Sequence, residues 1–407
     1  MISTASNTAD VVIIGGGVMG ASIAWHLVRQ QAGRVTLLER ETIAAGASGR
    51  TGALLRQHYS NRPEATLAHR SLAVFRHWTD VVGGDPVHTP IPLVVTIDTG
   101  PACEANLRHL HANVKLQNEV GIQSRVVSAD ELRALQPYAQ FNDGEMAALE
   151  PDSGYVDAIA ATRGLARAAA SAGATIHESC PVRLIVVTND RIAGVQTDHG
   201  LIATRTVVCA AGPWSASLLG SIGVDVPIES LRVQTVVLQR PLDLEPDHFV
   251  YLDTAAGMFC RPAGPGRTLV GVGGGDQHDP VDPDAFDQRI DSSYPGVAIE
   301  AIARRMPAMA GAAYLHGHVG LYDMTPDGHA IIGPAGPTGL FLAVGFSGAG
   351  FKKGPAVGEA VADTILTGTS PTVDLTPFRL SRFATENWRE PWSDSEYVLR
   401  RDFGHRF

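Results

Sequence analysis

Six residues near the N-terminus, Gly15-Gly16-Gly17-Val18-Met19-Gly20, have the spacing G-x-G-x-x-G. They follow an apolar run and open a helical pattern. Glycines so placed permit a tight turn and bring the backbone close to a pyrophosphate, which then meets the positive end of the helix. Ala24 is small enough for that helix to pack closely on its strand. Glu39 ends the next apolar run, where a carboxylate accepts hydrogen bonds from ribose hydroxyls. Taken alone the pattern also fits a plain helix cap beside a solvated glutamate.

A second small-residue loop, Ala45-Gly46-Ala47-Ser48-Gly49-Arg50-Thr51-Gly52-Ala53, comes directly after Glu39-Arg40. A nicotinamide enzyme usually continues here into another βα unit, whereas small residues fit a loop lying along the middle of a more extended cofactor; a turn-rich connector is the bland reading. Of the 32 basic residues only Lys115, Lys352 and Lys353 are lysines, and two of these are adjacent in one glycine-rich loop. His316 and His318 flank Gly317 with no carboxylate or cysteine in the pattern, so they read as satisfied strand histidines and not as a metal site.

These residues need elements to hold them. Asp10–Ile14 and Val35–Leu38 read as buried parallel strands around a helix from Val18 to Gln31, a βαβ unit. A long helix is predicted from Pro63 to Val81, with further helices at Cys103–Val120, Ala129–Leu135, Asp157–Ala172 and Pro355–Leu366. Pro181–Thr188 and Ala193–Asp198 read as a hairpin turning at Asn189-Asp190. Thr206–Ala211 and Leu340–Val344 are apolar strands; Leu93–Ile97, Val233–Leu238, Leu269–Val272 and Ala313–Val319 suit a mostly antiparallel sheet. The expected fold is α/β (α+β overall). A Rossmann-like nucleotide domain (10–85, 150–228, 325–370) is interleaved with a substrate domain (86–149, 229–324), and a polar tail at 371–407 contains Trp388 and Trp392.

The chain has 407 residues, 44% hydrophobic and 18% charged, the composition of a soluble globular protein. No apolar run approaches the roughly 20 residues that span a bilayer. Met1–Asp10 lacks the basic and apolar regions of a secretion signal. Cys103, Cys180, Cys209 and Cys260 are scattered, so a reduced, cytoplasmic protein without a metal centre is expected. A net charge of −10 argues against nucleic acid as partner.

Four segments in order resemble the D-amino-acid-oxidase/sarcosine-oxidase superfamily of flavoproteins. They are the N-terminal glycine turn, Val207-Val208-Cys209-Ala210-Ala211-Gly212-Pro213-Trp214-Ser215, Tyr322-Asp323-Met324-Thr325-Pro326-Asp327-Gly328-His329-Ala330-Ile331-Ile332-Gly333, and Gly345-Phe346-Ser347-Gly348-Ala349-Gly350-Phe351-Lys352. The last is similar to the sarcosine-oxidase loop G-F-S-G-x-G-F-K. The resemblance implies FAD as cofactor. Gly15, Gly17, Val18, Met19 and Gly20 would hold the pyrophosphate and Glu39 and Arg40 the adenosine end. Ala47, Ser48, Thr51, Gly52 and Ala53 would line the middle, with Val182 at the adenine and Ala211 and Gly212 beside the cofactor. Ser347, Gly348, Ala349, Gly350, Phe351 and Lys352 would wrap the flavin ring.

By position, Arg56 and Lys352 match residues that hold a substrate carboxylate in the sarcosine-oxidase branch, and Tyr322 matches a pocket tyrosine. The implied reaction is oxidation of the C–N bond of a small amine or amino acid, above all a secondary or N-methyl amino acid. A hydride equivalent passes to flavin N5, and the resulting imine is hydrolysed. Electrons would pass to O2 or another acceptor. Oxidation of a 2-hydroxy acid, or service as the flavin subunit of a larger complex or as a homo-oligomer, are the alternatives. The departures are specific. Gly320 stands where monomeric sarcosine oxidases attach flavin to a cysteine, no histidyl attachment is evident, and FAD is therefore expected to be noncovalent. Arg267-Thr268-Leu269-Val270 lacks the oxygen-reactive lysine, and the carboxylate-binding arginine that glycine oxidase places near Tyr322 is missing.

Overall fold

The computed structural model describes residues 7–97, 104–242, 244, 248–273 and 279–384; Cys103, Trp388 and Trp392 lie outside them. The central strand, Val11–Ile14, is buried along its whole length and pairs in parallel with Val35–Leu38 on one side and Val207–Cys209 on the other. Thr175–His177 extends the sheet past Val35–Leu38. Leu340–Val344 extends it past Val207–Cys209, and the antiparallel Ile331–Pro334 closes that edge. Runs such as VVII and VTLL carry no polar alternation because both faces of a parallel sheet are covered. The helix Val18–Arg29 packs between the helices Ala158–Ser171 and Gly354–Thr367 on one face. On the other face lies a three-stranded sheet of Val182–Thr188, Arg191–Thr197 and Gly200–Ala203. Its hairpin turns at Asn189 and Asp190, both at positive φ (50° and 57°), as a two-residue turn of this hand requires.

The second sheet has eight strands and is antiparallel except where Val250–Asp253 runs parallel to Leu93–Ile97. Its longest strands are Glu229–Gln239 and Ala313–Met324. Both outrun the apolar stretches Val233–Leu238 and Ala313–Val319 that mark them in the sequence, and the extension puts Tyr322 on a strand. The helix Tyr294–Arg305 covers one face and buries Arg305 between Asp253 and Glu145, each at 2.5 Å.

The helix expected from Pro63 to Val81 is broken. It runs Arg62–Arg76, stops at His77 (ψ 33°) and resumes as a turn at Trp78–Val81, which brings the Trp78 ring into the core beside Phe75. The start of the C-terminal tail has a role invisible in its composition. Arg382 is buried against Asp327 (2.7 Å) and donates to the His329 carbonyl at 2.8 Å, tying residues 380–384 to the T-P-D-G-H loop. Cys180, Cys209 and Cys260 are free and buried. Among the described residues no helix is long and apolar enough to cross a membrane.

Candidate active site

A cleft of about 690 Å³ opens at the carboxyl ends of Val11–Ile14, Val35–Leu38 and Val207–Cys209 and is roofed by the eight-stranded sheet. This is where open α/β sheets bind ligands. Its floor is the glycine turn. Gly15 has φ +114°, and a Cβ there would collide with the Ala210 carbonyl; a Cβ on Gly20 would collide with the Gly15 carbonyl. The turn is therefore closed hard against the helix start, leaving its backbone exposed to an anion. The Val18 amide donates to Ser48 Oγ at 2.9 Å, joining the two small-residue loops. Glu39 accepts the Gly16 amide (2.6 Å) and the Glu41 amide (2.9 Å), which fixes its carboxylate at the cleft edge.

Gly15, Gly17, Val18, Met19, Glu39, Arg40, Ala47, Ser48, Thr51, Val182, Ala211, Gly212, Gly348, Gly350, Phe351 and Tyr322 all line the cleft. Other expected residues do not. Gly20 is inside the turn. Gly52 is backed by Phe259 and Leu54, and Ala53, at φ +52°, uses its carbonyl on the Val156 amide. Ser347 turns its hydroxyl back to accept from the Thr325 amide, and Ala349 packs on the Tyr59 and Ala65 cluster. Arg40 is at the adenosine end but already engaged. It lies 4.0 Å over the Trp214 ring and pairs at 2.7 Å with Asp284, which also accepts Trp214 Nε1 at 2.8 Å. Asp284 thereby brackets the cleft mouth from the other half of the molecule. Such a cradle of backbone amides, a fixed carboxylate and a long cleft fits a dinucleotide.

Arg56 and Lys352 stand behind this wall, not on it. The segment bearing Arg56 is zipped antiparallel to residues 150–156. The Leu55 amide donates to the Gly154 carbonyl (2.9 Å), the Ser153 hydroxyl to the Leu55 carbonyl (3.0 Å) and the Gln57 amide to Glu150 Oε2 (3.0 Å). Arg56 is 8% exposed, lies 4.5 Å over the Tyr59 ring, and makes no hydrogen bond or ion pair to a described residue. Burial, then the charges of Arg56 and Lys353, pull the Lys352 ammonium pKa well below its ordinary value against the pull of Glu64 and Glu150. Burial raises the Tyr322 phenol, with Arg56 opposing. A Cβ on Gly348 would lie 2.9 Å from the Tyr322 ring, so the flavin-loop glycine seats that ring. The neighbouring Asp323 accepts the Gly345 amide at 2.8 Å; burial pushes its carboxyl up to about 6 despite four backbone donors.

Several polar residues here carry no sequence signal of their own. Glu64 is buried, 2.5 Å from Lys353 Nζ and 3.0 Å from His329 Nδ1, while Asn61 Nδ2 donates to it at 3.1 Å. Burial raises the Glu64 carboxyl, but Lys353 and His329 outweigh that and hold it well below the usual range. Lys353 also sits 4.7 Å from the Tyr59 ring centre. The Lys352-Lys353 pair marks this place in the sequence, but nothing there reveals that one lysine belongs to Glu64. His318 Nε2 lies 2.8 Å from Thr235 Oγ1 and 2.9 Å from the Arg50 carbonyl, a satisfied strand histidine, whereas His316 is exposed.

Residues 10–364 match the model of the DAO family, described as FAD dependent oxidoreductase. The chain belongs to this family. Its cofactor is FAD, a dinucleotide that the cleft described above fits. The chain is 30% identical to human mitochondrial sarcosine dehydrogenase over 399 residues, 93% of this chain and 42% of that protein, and so spans less than half of that relative. It is 26% identical to glycine oxidase of Geobacillus kaustophilus over 389 residues, covering 92% and 97% of the two chains. The fold matches the crystal structure of L-proline dehydrogenase from P. horikoshii with a TM-score of 0.83 at 24% identity, covering 93% of this chain and 98% of that one.

Proposed function

We propose that the chain dehydrogenates the C–N bond of a small amino acid, in particular a secondary or N-methyl amino acid such as sarcosine, and that its electrons go to O2 or another acceptor. The observation that carries this reading is Arg56. Buried charges in proteins are paired, and this guanidinium makes no ion pair or hydrogen bond to a described residue, with only the longer-range charge of Glu150 opposing it, so an anion from outside completes it. Lys352 is close enough for the two cations to feel each other, and Tyr322 is within the field of Arg56. An amino acid carboxylate held there would present its amine toward the loop 345–351. The names of the relatives, sarcosine dehydrogenase and glycine oxidase, support the substrate class.

When bound, FAD supplies the acceptor for the hydride equivalent. The chain's part is to fix the carboxylate at Arg56 and Lys352, to seat Tyr322 by Gly348, and to bury the site. The flavin is held without a covalent link. Gly320 leaves no attachment atom, and a Cβ there would already lie 3.3 Å from Arg50 Cβ. Anaerobic reduction of the bound flavin tests the function with matched pairs: sarcosine against dimethylamine, proline against pyrrolidine, and lactate as the hydroxy-acid control. Reduction is expected with the amino acids. Faster reduction by the carboxylate-free amines, or by lactate, overturns the reading.

A further inference from the structure

Glu150 ends the strand Met146–Glu150 and is 0% exposed. One carboxylate oxygen, Oε2, accepts the amide of Gln57, the residue after Arg56. The other, Oε1, is buried with no hydrogen-bond partner among the described residues. The Ser153 hydroxyl beside it is donated to the Leu55 carbonyl instead, and Leu93, paired with Glu150 across the sheet, is apolar. The charges that reach Glu150 are those of Arg56, from the zipped segment, and Lys352, from the loop before the last helix. His58 on the same segment is held neutral, by burial first and then by Arg56, with its pKa down to about 3. Glu64 is no rival partner for Arg56, being saturated by Lys353, His329 and Asn61.

A buried carboxylate with one bare oxygen is expensive unless something compensates it. Here the compensation is chiefly the Arg56 guanidinium, since burial disfavours the charged form of Lys352. When a substrate carboxylate takes Arg56 and Lys352 for itself, that compensation is divided between two anions in a site that excludes water. The low dielectric makes their mutual repulsion large. A proton on the bare oxygen removes it.

We propose that Glu150 is the proton-exchanging counter-charge of the Arg56–Lys352 clamp: a carboxylate in the empty pocket, it takes up a proton from solvent when an anionic substrate binds. The substrate's negative charge replaces the carboxylate's, and the pocket keeps its net charge. The position of the group supports this, since burial pushes the Glu150 carboxyl up to about 7 against the pull of the Gln57 amide and the charges of Arg56 and Lys352. A structural carboxylate paired for stability would instead be held low, as Glu64 is. The inference rests on the anion-clamp reading of Arg56. It adds that clamp occupancy and proton uptake are one event, so that affinity for the anion falls as pH rises through Glu150's own titration.

The test uses the FAD-loaded protein and propionate, which has the carboxylate and no amine to titrate. Binding is read from the flavin absorbance, and proton uptake from calorimetry at pH 8 in buffers of different ionisation enthalpy. Wild type should take up most of one proton more than Glu150→Gln, whose amide oxygen can still accept the Gln57 amide. Above pH 7 the variant should lose up to about a tenfold weakening of propionate binding per pH unit. In wild type alone, infrared difference spectra should show a protonated carboxyl appearing as propionate binds. Propionate binding with the same proton uptake in Glu150→Gln, or without a new carboxyl band in wild type, overturns the proposal and leaves the clamp standing. No propionate binding to wild type at any pH overturns both.

Discussion

Lys353 Nζ lies 2.5 Å from Glu64 Oε1 in a buried pair, while its neighbour Lys352 forms no ion pair or hydrogen bond to a described residue. Two adjacent lysines thus have different surroundings. One closes a structural network under the pocket, and the other is buried where burial and the neighbouring cations disfavour its charged form.

Removing the structural lysine should therefore damage stability. Lys353→Met strands a buried carboxylate with only His329 and Asn61, and should destabilise the fold by about 3–5 kcal/mol. Glu64 is depressed in the folded state, so its contribution is full above the unfolded carboxylate pKa and is lost as pH falls through the folded value. Thermal melts across the acid range check this. The stability gap between wild type and Lys353→Met should narrow as pH falls through the carboxylate range, because only wild type has a depressed Glu64 to lose while the variant's stranded carboxyl protonates in the folded state. A double variant with Glu64→Gln should recover part of the loss at neutral pH.

The proposed carboxylate clamp predicts a different signature. Arg56→Met and Lys352→Met should each weaken binding of an amino acid substrate by about 10- to 150-fold, from roughly 1.5–3 kcal/mol per charge-assisted contact. The effects should not add, because both groups touch one anion. Carboxylate-free amines should be nearly indifferent to either change; equal losses for both substrate types would make Arg56 structural.

Acid precipitation should release all flavin into the supernatant, as Gly320 offers no attachment atom. Gly320→Cys should bind less FAD, since its side chain must displace Arg50, whose Nη1 donates to the Val319 carbonyl at 3.1 Å. Yellow colour in the wild-type pellet would contradict this.

Reoxidation of the reduced flavin by O2 should be slow. The strand Arg267–Val272 contains no lysine, Lys353 is committed to Glu64, and burial disfavours the charged form of Lys352. Stopped-flow mixing with air-saturated buffer gives the rate, and rapid peroxide formation is the contrary result.

Asp284→Ala should loosen the bracket over the cleft mouth and weaken FAD, measured by fluorescence titration of the apoprotein. The change should not exceed about fivefold, because exposed ion pairs contribute roughly 0.2–1 kcal/mol.

Much of the fold is legible in the sequence because its signals are local. The buried runs at Val11–Ile14 and Val35–Leu38, the glycine turn and the Asn189-Asp190 hairpin each report their own backbone. The break at His77 is not local, since it follows from where Trp78 finds a core. For the site, the floor of the FAD cleft is written in consecutive residues. Its polar underside is not. Glu64 meets His329 and Lys353 across 265 and 289 residues of chain, and Glu150 is an ordinary strand-end glutamate until folding removes its water. Gly52, Ala53, Ser347 and Ala349 follow the cofactor in sequence motif, yet the chain turns them toward its own packing.

The pairing order of the parallel sheet also sets a timetable for synthesis. Val11–Ile14 has no second neighbour until Val207–Cys209 exists, and that strand has none until Leu340–Val344 does. At about 5–20 residues per second, the ribosome needs on the order of tens of seconds between making the glycine turn and delivering the loop that completes its cleft. Throughout that interval the nascent chain carries the pyrophosphate signature with nothing opposite to close on FAD. Cofactor capture is consequently a late event, and messages truncated before residue 344 should yield chains that never turn yellow.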